Sequence, residues 1–255
     1  MIKLSVVIIT FNEEQNIERC ITSVKEVADE VVVVDSFSTD ATETICKKLG
    51  TRFVQHIFEG HIEQKNFAAG LASYDHLLSI DADEALSEKL KASILEVKNN
   101  WQCESYSMNR LTNYCGQWIR HGGWYPDRKI RLFEKRKGKW GGQNPHDKFL
   151  PDNPSTTGFL NGDLLHYSYY SIEGHLAQVN KFTEIAAGSA FEAGIRSGIL
   201  KLIFRPVFKF IRDYILLFGF LDGYYGFVIS RISANATFLK YVKLRELYKK
   251  SGKSQ

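Results

Sequence analysis

His76-Leu77-Leu78-Ser79-Ile80-Asp81-Ala82-Asp83-Glu84 is the stretch on which the reading of this chain turns. Its first five residues have the length and apolarity of a buried strand. Two carboxylates spaced two apart then follow where the strand runs out, and they can turn toward one point in space. Asp oxygens are the ligands that hard divalent cations such as Mg²⁺ or Mn²⁺ prefer, alongside substrate phosphates. An Asp-x-Asp pair alone is common in acidic loops. Its place at a strand end gives it weight.

Outward from that point, the first hundred residues alternate strand and helix signals. Leu4-Ser5-Val6-Val7-Ile8-Ile9-Thr10 and the run Val31-Val32-Val33-Val34 before Asp35 read as strands buried on both faces. Residues 51–56 give a third strand, and 14–24, 38–49 and 62–73 read as helices, the first with Asn12 as N-cap. Such alternation implies βαβ units and a parallel sheet, whose ligands bind beyond the carboxyl ends of the strands. Thr10, Asp35, Asp81 and Asp83 all stand at such ends and should converge on one crevice. No glycine-rich loop follows the first strand, which argues against a dinucleotide fold and a P-loop. Residues 102–167 are aromatic, Gly-rich and strand-like, with Trp118, Trp124, Tyr125 and Trp140; beyond Ser171 the chain reads as helical.

The 255 residues suffice for one large domain with an appended segment, and 5 Pro with 44% hydrophobic residues predict order outside the last few positions, 249–255. Four cysteines without metal spacing read as free thiols in a reducing compartment. The only apolar run near the start is too short for a signal peptide, so this end is expected in the cytoplasm. The net charge of +4 is uneven: residues 196–255 carry 12 Lys/Arg against 3 Asp/Glu, or +9, leaving −5 for the rest. Residues 199–220 set Arg205, Lys209 and Arg212 opposite Val207, Ile211, Ile215 and Phe218, with Pro206 suited to a first helical turn. The following run is broken by Gly219, Asp222, Gly223 and Gly226 and does not read as transmembrane. A basic amphipathic segment of this kind predicts peripheral attachment to an anionic membrane surface. An ordinary helical subdomain or a homodimer interface is the alternative. Nucleic-acid binding is disfavoured, because the basic residues sit among Phe, Ile and Leu.

Taken together, the residues resemble family 2 glycosyltransferases of the GT-A fold. The resemblance rests on Ser5-Val6-Val7-Ile8-Ile9-Thr10-Phe11-Asn12-Glu13-Glu14, Val33-Val34-Asp35-Ser36-Phe37-Ser38-Thr39-Asp40, Gln64-Lys65-Asn66-Phe67 and the Asp81-Ala82-Asp83 element. Phe37 departs from the usual Gly. Gly123-Trp124-Tyr125-Pro126-Asp127 with Arg131-Leu132-Phe133 is similar to the subgroup of β-1,4-glucosyltransferases that extend the lipopolysaccharide core. The resemblance implies a GT-A catalytic domain over residues 1–170, with a nucleotide-sugar half (1–100) and an acceptor half (101–170), then a helical segment over 171–255.

It also implies roles. A divalent cation (Mg²⁺ or Mn²⁺) held by Asp83, with or without Asp81, would bridge the diphosphate of a nucleoside-diphosphate sugar, a UDP-sugar by default. Asp81 could instead bind ribose or sugar, and both acids could merely solvate a loop. Asp35 with Thr10, Phe11 and Asn12 would receive the nucleotide, unless Asp35 only caps a turn. Glu13 would bind ribose, or serve the helix dipole. Lys65 would reach a phosphate, with a solvated helix lysine as the alternative. An inverting transfer needs a carboxylate beside the attacking hydroxyl: Asp147, where the subgroup has Glu, then Asp127, then Glu84. Trp124, Tyr125 and Trp140 would stack on sugar, or fill a core. His166 could ligate metal or phosphate, though a hydrogen-bonded core histidine is commoner. The acceptor would be lipopolysaccharide core or another lipid-linked glycan at the inner face of the cell membrane. A nucleotidyltransferase, or a nucleotide-sugar-binding protein without catalysis, are the other readings.

Overall fold

The computed structural model describes residues 1–143 and 146–252. Asn144 and Pro145, which precede His146 and Asp147, lie outside the described residues, as do 253–255 of the C-terminal tail. Two compact units emerge: residues 1–111 with 127–167, and residues 112–126 with 168–255. The excursion 112–126 thus groups with the C-terminal helices.

In the first unit, β1 (Leu4–Thr10), β2 (Glu30–Asp35), β3 (Arg52–Gln55) and β4 (His76–Asp81) pair in parallel in the order β3-β2-β1-β4. The sheet continues with β8 (Asp127–Glu134), antiparallel to both β4 and β6 (Ser105–Tyr114). Next come β11 (Thr157–Tyr169) and β5 (Glu84–Leu86), an antiparallel pair, while β7 (Gln117–Ile119) pairs with β6. β9 (Gly138–Gln143) and β10 (His146–Pro151) form a separate antiparallel hairpin.

The side-chain period of β1 explains why both faces are covered. Leu4, Val6 and Ile8 enter one core with α1 (Ile17–Val24), α2 (Thr42–Lys48) and α4 (Glu88–Asn99), whereas Val7 enters the other. That second core receives Ala68 of α3 (His61–Leu71), Phe133 of β8 and the hairpin rings Trp140 and Phe149. α1 begins at Ile17 rather than near residue 14. Asn12 is not its cap: Asn12 takes a left-handed φ of 53° and its Oδ1 accepts from the Thr39 amide at 2.8 Å.

The second unit is built on α5 (Ile172–Glu192), α6 (Ile199–Phe210) and α7 (Gly223–Lys250). Its core contains Tyr114, Ile119 and Ile229, with Trp124, Tyr169 and Tyr225 packed around them. Pro206 lies in the interior of α6, not its first turn, because the helix already starts at Ile199. Among the described residues no single helix is long and apolar enough to cross a membrane. The pair Ile199–Leu216 and Gly219–Lys250 passes by length and composition only together, bent by 71°.

Candidate active site

Parallel register brings the predicted strand ends level. Thr10 pairs with Asp35 across β1 and β2, and Ile9 pairs with Asp81 across β1 and β4. Thr10, Asp35 and Asp81 therefore share one end of the sheet, and Asp83 lies in the turn two residues beyond it.

The nucleotide side is a pair of cross-stapled loops. Asp35 is fully buried, and its carboxylate accepts from the Ser38 amide at 2.8 Å and from the Ser38 hydroxyl. The Asn12 amide donates to Ser38 Oγ at 2.7 Å, and the Glu13 amide to Thr42 Oγ1 at 2.9 Å. Phe37 adopts φ 62° between them. That is the left-handed region a glycine enters freely, so the expected Gly is replaced without a change of turn, at a cost of about 1–2 kcal/mol. Phe11 and Phe37, one in each loop, are exposed at 56% and 51%. Thr10 Oγ1 is buried with no hydrogen-bond partner among the described residues, leaving it free for a ligand.

Beneath the Asp81-Ala82-Asp83 turn lies a charge network. Arg131 Nη2 donates to Asp81 Oδ2 at 2.7 Å and to Glu84 Oε1 at 2.8 Å. Lys65, only 2% exposed, bridges Asp81 at 3.0 Å and Asp147 at 2.7 Å. Burial pushes the Asp81 carboxyl upward, but the charges of Arg131 and Lys65 overcome this and hold it well below the usual range. Glu84 is sealed in: it accepts the Asp81 amide at 2.9 Å and faces Arg131 and, at 3.5 Å, Arg110. It braces the turn. Asp127 pairs with Arg110 at 2.8 Å and Lys129 at 3.1 Å. Trp140 is buried under the network, with Lys65 Nζ 4.6 Å and the Arg131 guanidinium 5.5 Å from its ring. The Asn66 side chain fixes it by exchanging hydrogen bonds with the Trp140 amide and carbonyl.

Asp83 has a different neighbour. β11 lies beside β5 with His166 opposite Glu84, so His166 Nε2 comes to 3.1 Å from Asp83 Oδ2. One carboxylate and one imidazole are a sparse donor set, and among the described residues no group of three or more His, Cys, Asp or Glu could hold an ion. A cation that takes its remaining ligands from a diphosphate fits such a pair. Asp81, already neutralised twice, is the poorer ligand.

Glu13 completes this edge. Burial, against a 2.7 Å hydrogen bond from Asn16, raises its carboxyl to about 7, with Asp83, Asp40 and Asp81 adding to the rise. A folded-state value above the ordinary 4.5 means that the folded protein holds this proton more tightly than the unfolded chain. Stability should therefore fall as pH rises from about 4.5 to about 7. Glu13→Gln is expected to flatten that slope and to stabilise the metal-free protein by about 2 kcal/mol at pH 8, allowing for partial exposure. Urea unfolding of both proteins at pH 4.5 and 8 measures it.

Trp124 lies in the second unit, its ring 5.9 Å from Tyr114, 5.6 Å from Tyr169 and 6.0 Å from His175. Sequence reasoning assigned no role to Arg131, yet it ties Asp81 to Glu84. The signal was available: in a strand Arg131 shares its face with Phe133, and an arginine on a face that buries Phe133 must meet acids there.

The model of the family described as glycosyl transferase family 2 matches residues 5–149. The chain belongs to that family. An uncharacterized glycosyltransferase of Rickettsia typhi is 34% identical over 98% of this chain and 89% of its own length. The lipopolysaccharide core biosynthesis glycosyltransferase LpsC of Rhizobium meliloti is 29% identical over 94% of this chain and 91% of its own. Among solved structures, residues 1–349 of S. aureus TarS align with a TM-score of 0.47 at 15% identity, covering 98% of this chain and 92% of that one. The enzyme is thus a family 2 glycosyltransferase with a GT-A α/β fold, and the match spans the stapled loops, Asp81, Asp83, Lys65, Arg131 and Asp147.

Proposed function

We propose that this glycosyltransferase is inverting, and that it moves a hexose from a nucleoside diphosphate, uridine by default, onto lipopolysaccharide core or another lipid-linked glycan. Transfer would take place at the inner face of the cell membrane. The observation that carries the catalytic part is the Lys65 bridge, which holds Asp147 beside the Asp81 turn at the donor end of the sheet. Asp147 takes the proton of the acceptor hydroxyl as its oxygen bonds to the anomeric carbon. The bond from that carbon to the diphosphate breaks, and the nucleoside diphosphate leaves. Lys65 keeps the Asp147 carboxylate oriented and offers positive charge to the departing phosphates. The stapled loops, which Asp35 braces through Ser38, receive the nucleotide, and Thr10 Oγ1 offers it a further hydrogen bond.

Asp83 and His166 are the residues that would hold a divalent cation, Mg²⁺ or Mn²⁺. When bound, such an ion offsets charge developing on the diphosphate. The acceptor part of this reading is supported by the likeness to LpsC, named for lipopolysaccharide core biosynthesis. A transfer assay tests the whole reading: radiolabelled nucleotide-sugars are incubated with the protein and a bacterial glycolipid extract. A labelled glycolipid with inverted anomeric configuration is expected from one donor. Hydrolysis of that donor without any glycolipid product would overturn the acceptor assignment.

A further inference from the structure

The second unit carries a surface that water alone does not suit. None of the 12 residues of α6 is buried, although most of them are apolar. Leu200, Phe204, Val207 and Phe208 are 67%, 63%, 54% and 59% exposed, and Leu221 and Tyr224 beyond the bend reach 59% and 68%. The opposite side is already used: Phe210 and Tyr214 pack their rings on Phe227 of α7 at 5.9 and 5.7 Å. An exposed apolar arc of this kind along α6 marks an interaction site.

Charge identifies the occupant. Lys201, Arg205, Lys209 and Arg212 recur at i, i+4, i+8 and i+11, a basic stripe between the apolar arc and the packed side. Lys209 and Arg212 are held by the buried Asp213 at 2.6 and 2.8 Å. Lys201 donates to the Arg196 carbonyl at 3.1 Å, and among the described residues neither it nor Arg205 has an acidic partner. Both side chains are exposed. A second copy docked on this arc by a two-fold axis would bring its own basic stripe to the same contact, where like charges repel. Lipid phosphates are the complementary partner. Among the described residues no single helix is long and apolar enough to cross the bilayer, and the segment is broken by a 71° bend. Gly219 and Gly226 lock that bend, since a Cβ on Gly226 would meet the Gly219 carbonyl at 1.9 Å.

We infer that α6 and the turn after it form an interfacial anchor lying in one leaflet of an anionic bilayer. The arc from Leu200 to Phe208 enters the acyl boundary, and Lys201 and Arg205 sit at the phosphate level. This deepens the membrane-side reading above, but its test uses no sugar transfer, so the two can fail separately.

The test is flotation of the full chain with vesicles of phosphatidylcholine alone, or of phosphatidylcholine with phosphatidylglycerol. Binding to the anionic vesicles is expected, about tenfold or more above the neutral ones. Lys201→Gln and Arg205→Gln should each weaken it by about fivefold. Phe204→Glu combined with Phe208→Glu should abolish it, with the thermal midpoint unchanged because all four side chains are exposed. Should the Glu pair unfold the protein, the Lys201 and Arg205 variants decide. Absence of vesicle binding, or binding indifferent to all four substitutions, overturns the anchor. So does a dimer that the Glu pair dissociates while vesicles capture nothing, which would assign the arc to a second copy.

Discussion

Asp147→Asn is expected to leave the fold and donor binding in place and to lower turnover by about 10²- to 10⁴-fold. The amide keeps the size of the carboxylate and can still accept from Lys65, 2.7 Å away, through its oxygen. What it loses is the capacity to take a proton from the acceptor hydroxyl. Steady-state kinetics separate the outcomes: kcat should collapse while KM for the donor stays within a few-fold. The same substitution at Asp127 should do much less, because Arg110 and Lys129 already occupy that carboxylate. If Asp127→Asn proves the more damaging, the base has been placed on the wrong acid.

Lys65→Met carries the largest expected effect on stability, about 3–5 kcal/mol. The lysine is 2% exposed and is the shared cation of Asp81 and Asp147, so its loss leaves Asp147 without the partner that fixes it and Asp81 with Arg131 alone. Methionine fills the space over the Trp140 ring, which keeps the effect electrostatic rather than a matter of volume. The pH dependence gives a second readout. The Asp81 carboxyl is held below its ordinary 3.8, so its contribution is present above that value and is lost as pH falls below it. In Lys65→Met that acid loss should shrink, because less of the contribution remains to be lost. Urea unfolding at pH 7 and pH 3 measures both effects.

The parallel half of the sheet could be read from the chain because its signals are local. β-branched runs of strand length, helices between them and acids at the strand ends each occupy a few consecutive residues. Register then did the rest: once β1 is flanked by β2 and β4, Thr10, Asp35 and Asp81 must lie level. The network below them was not legible in the same way. Arg131, Lys65 and Asp147 come from β8, α3 and β10, and no spacing rule connects positions 65, 131 and 147. His166 reaches Asp83 only because β11 returns beside β5, a pairing separated by some eighty residues of chain. Phe37 shows a different limit. The turn after β2 needs a positive φ, and the sequence offered a residue that normally avoids one, so the conformation had to be seen. Grouping of residues 112–126 with the C-terminal helices has the same character, since Asp222 receives the amides of Arg120 and His121 from a hundred residues away.

Titration of nucleotide-sugars into the wild type and Asp83→Ala, each with Mn²⁺, Mg²⁺ or a chelator, tests the central claim most directly. Binding of one donor that requires the ion, and that Asp83→Ala loses, is the result this account predicts. Binding of that donor equally well in chelator and in Asp83→Ala would contradict it, and would reduce the acids at the end of β4 to braces of the fold.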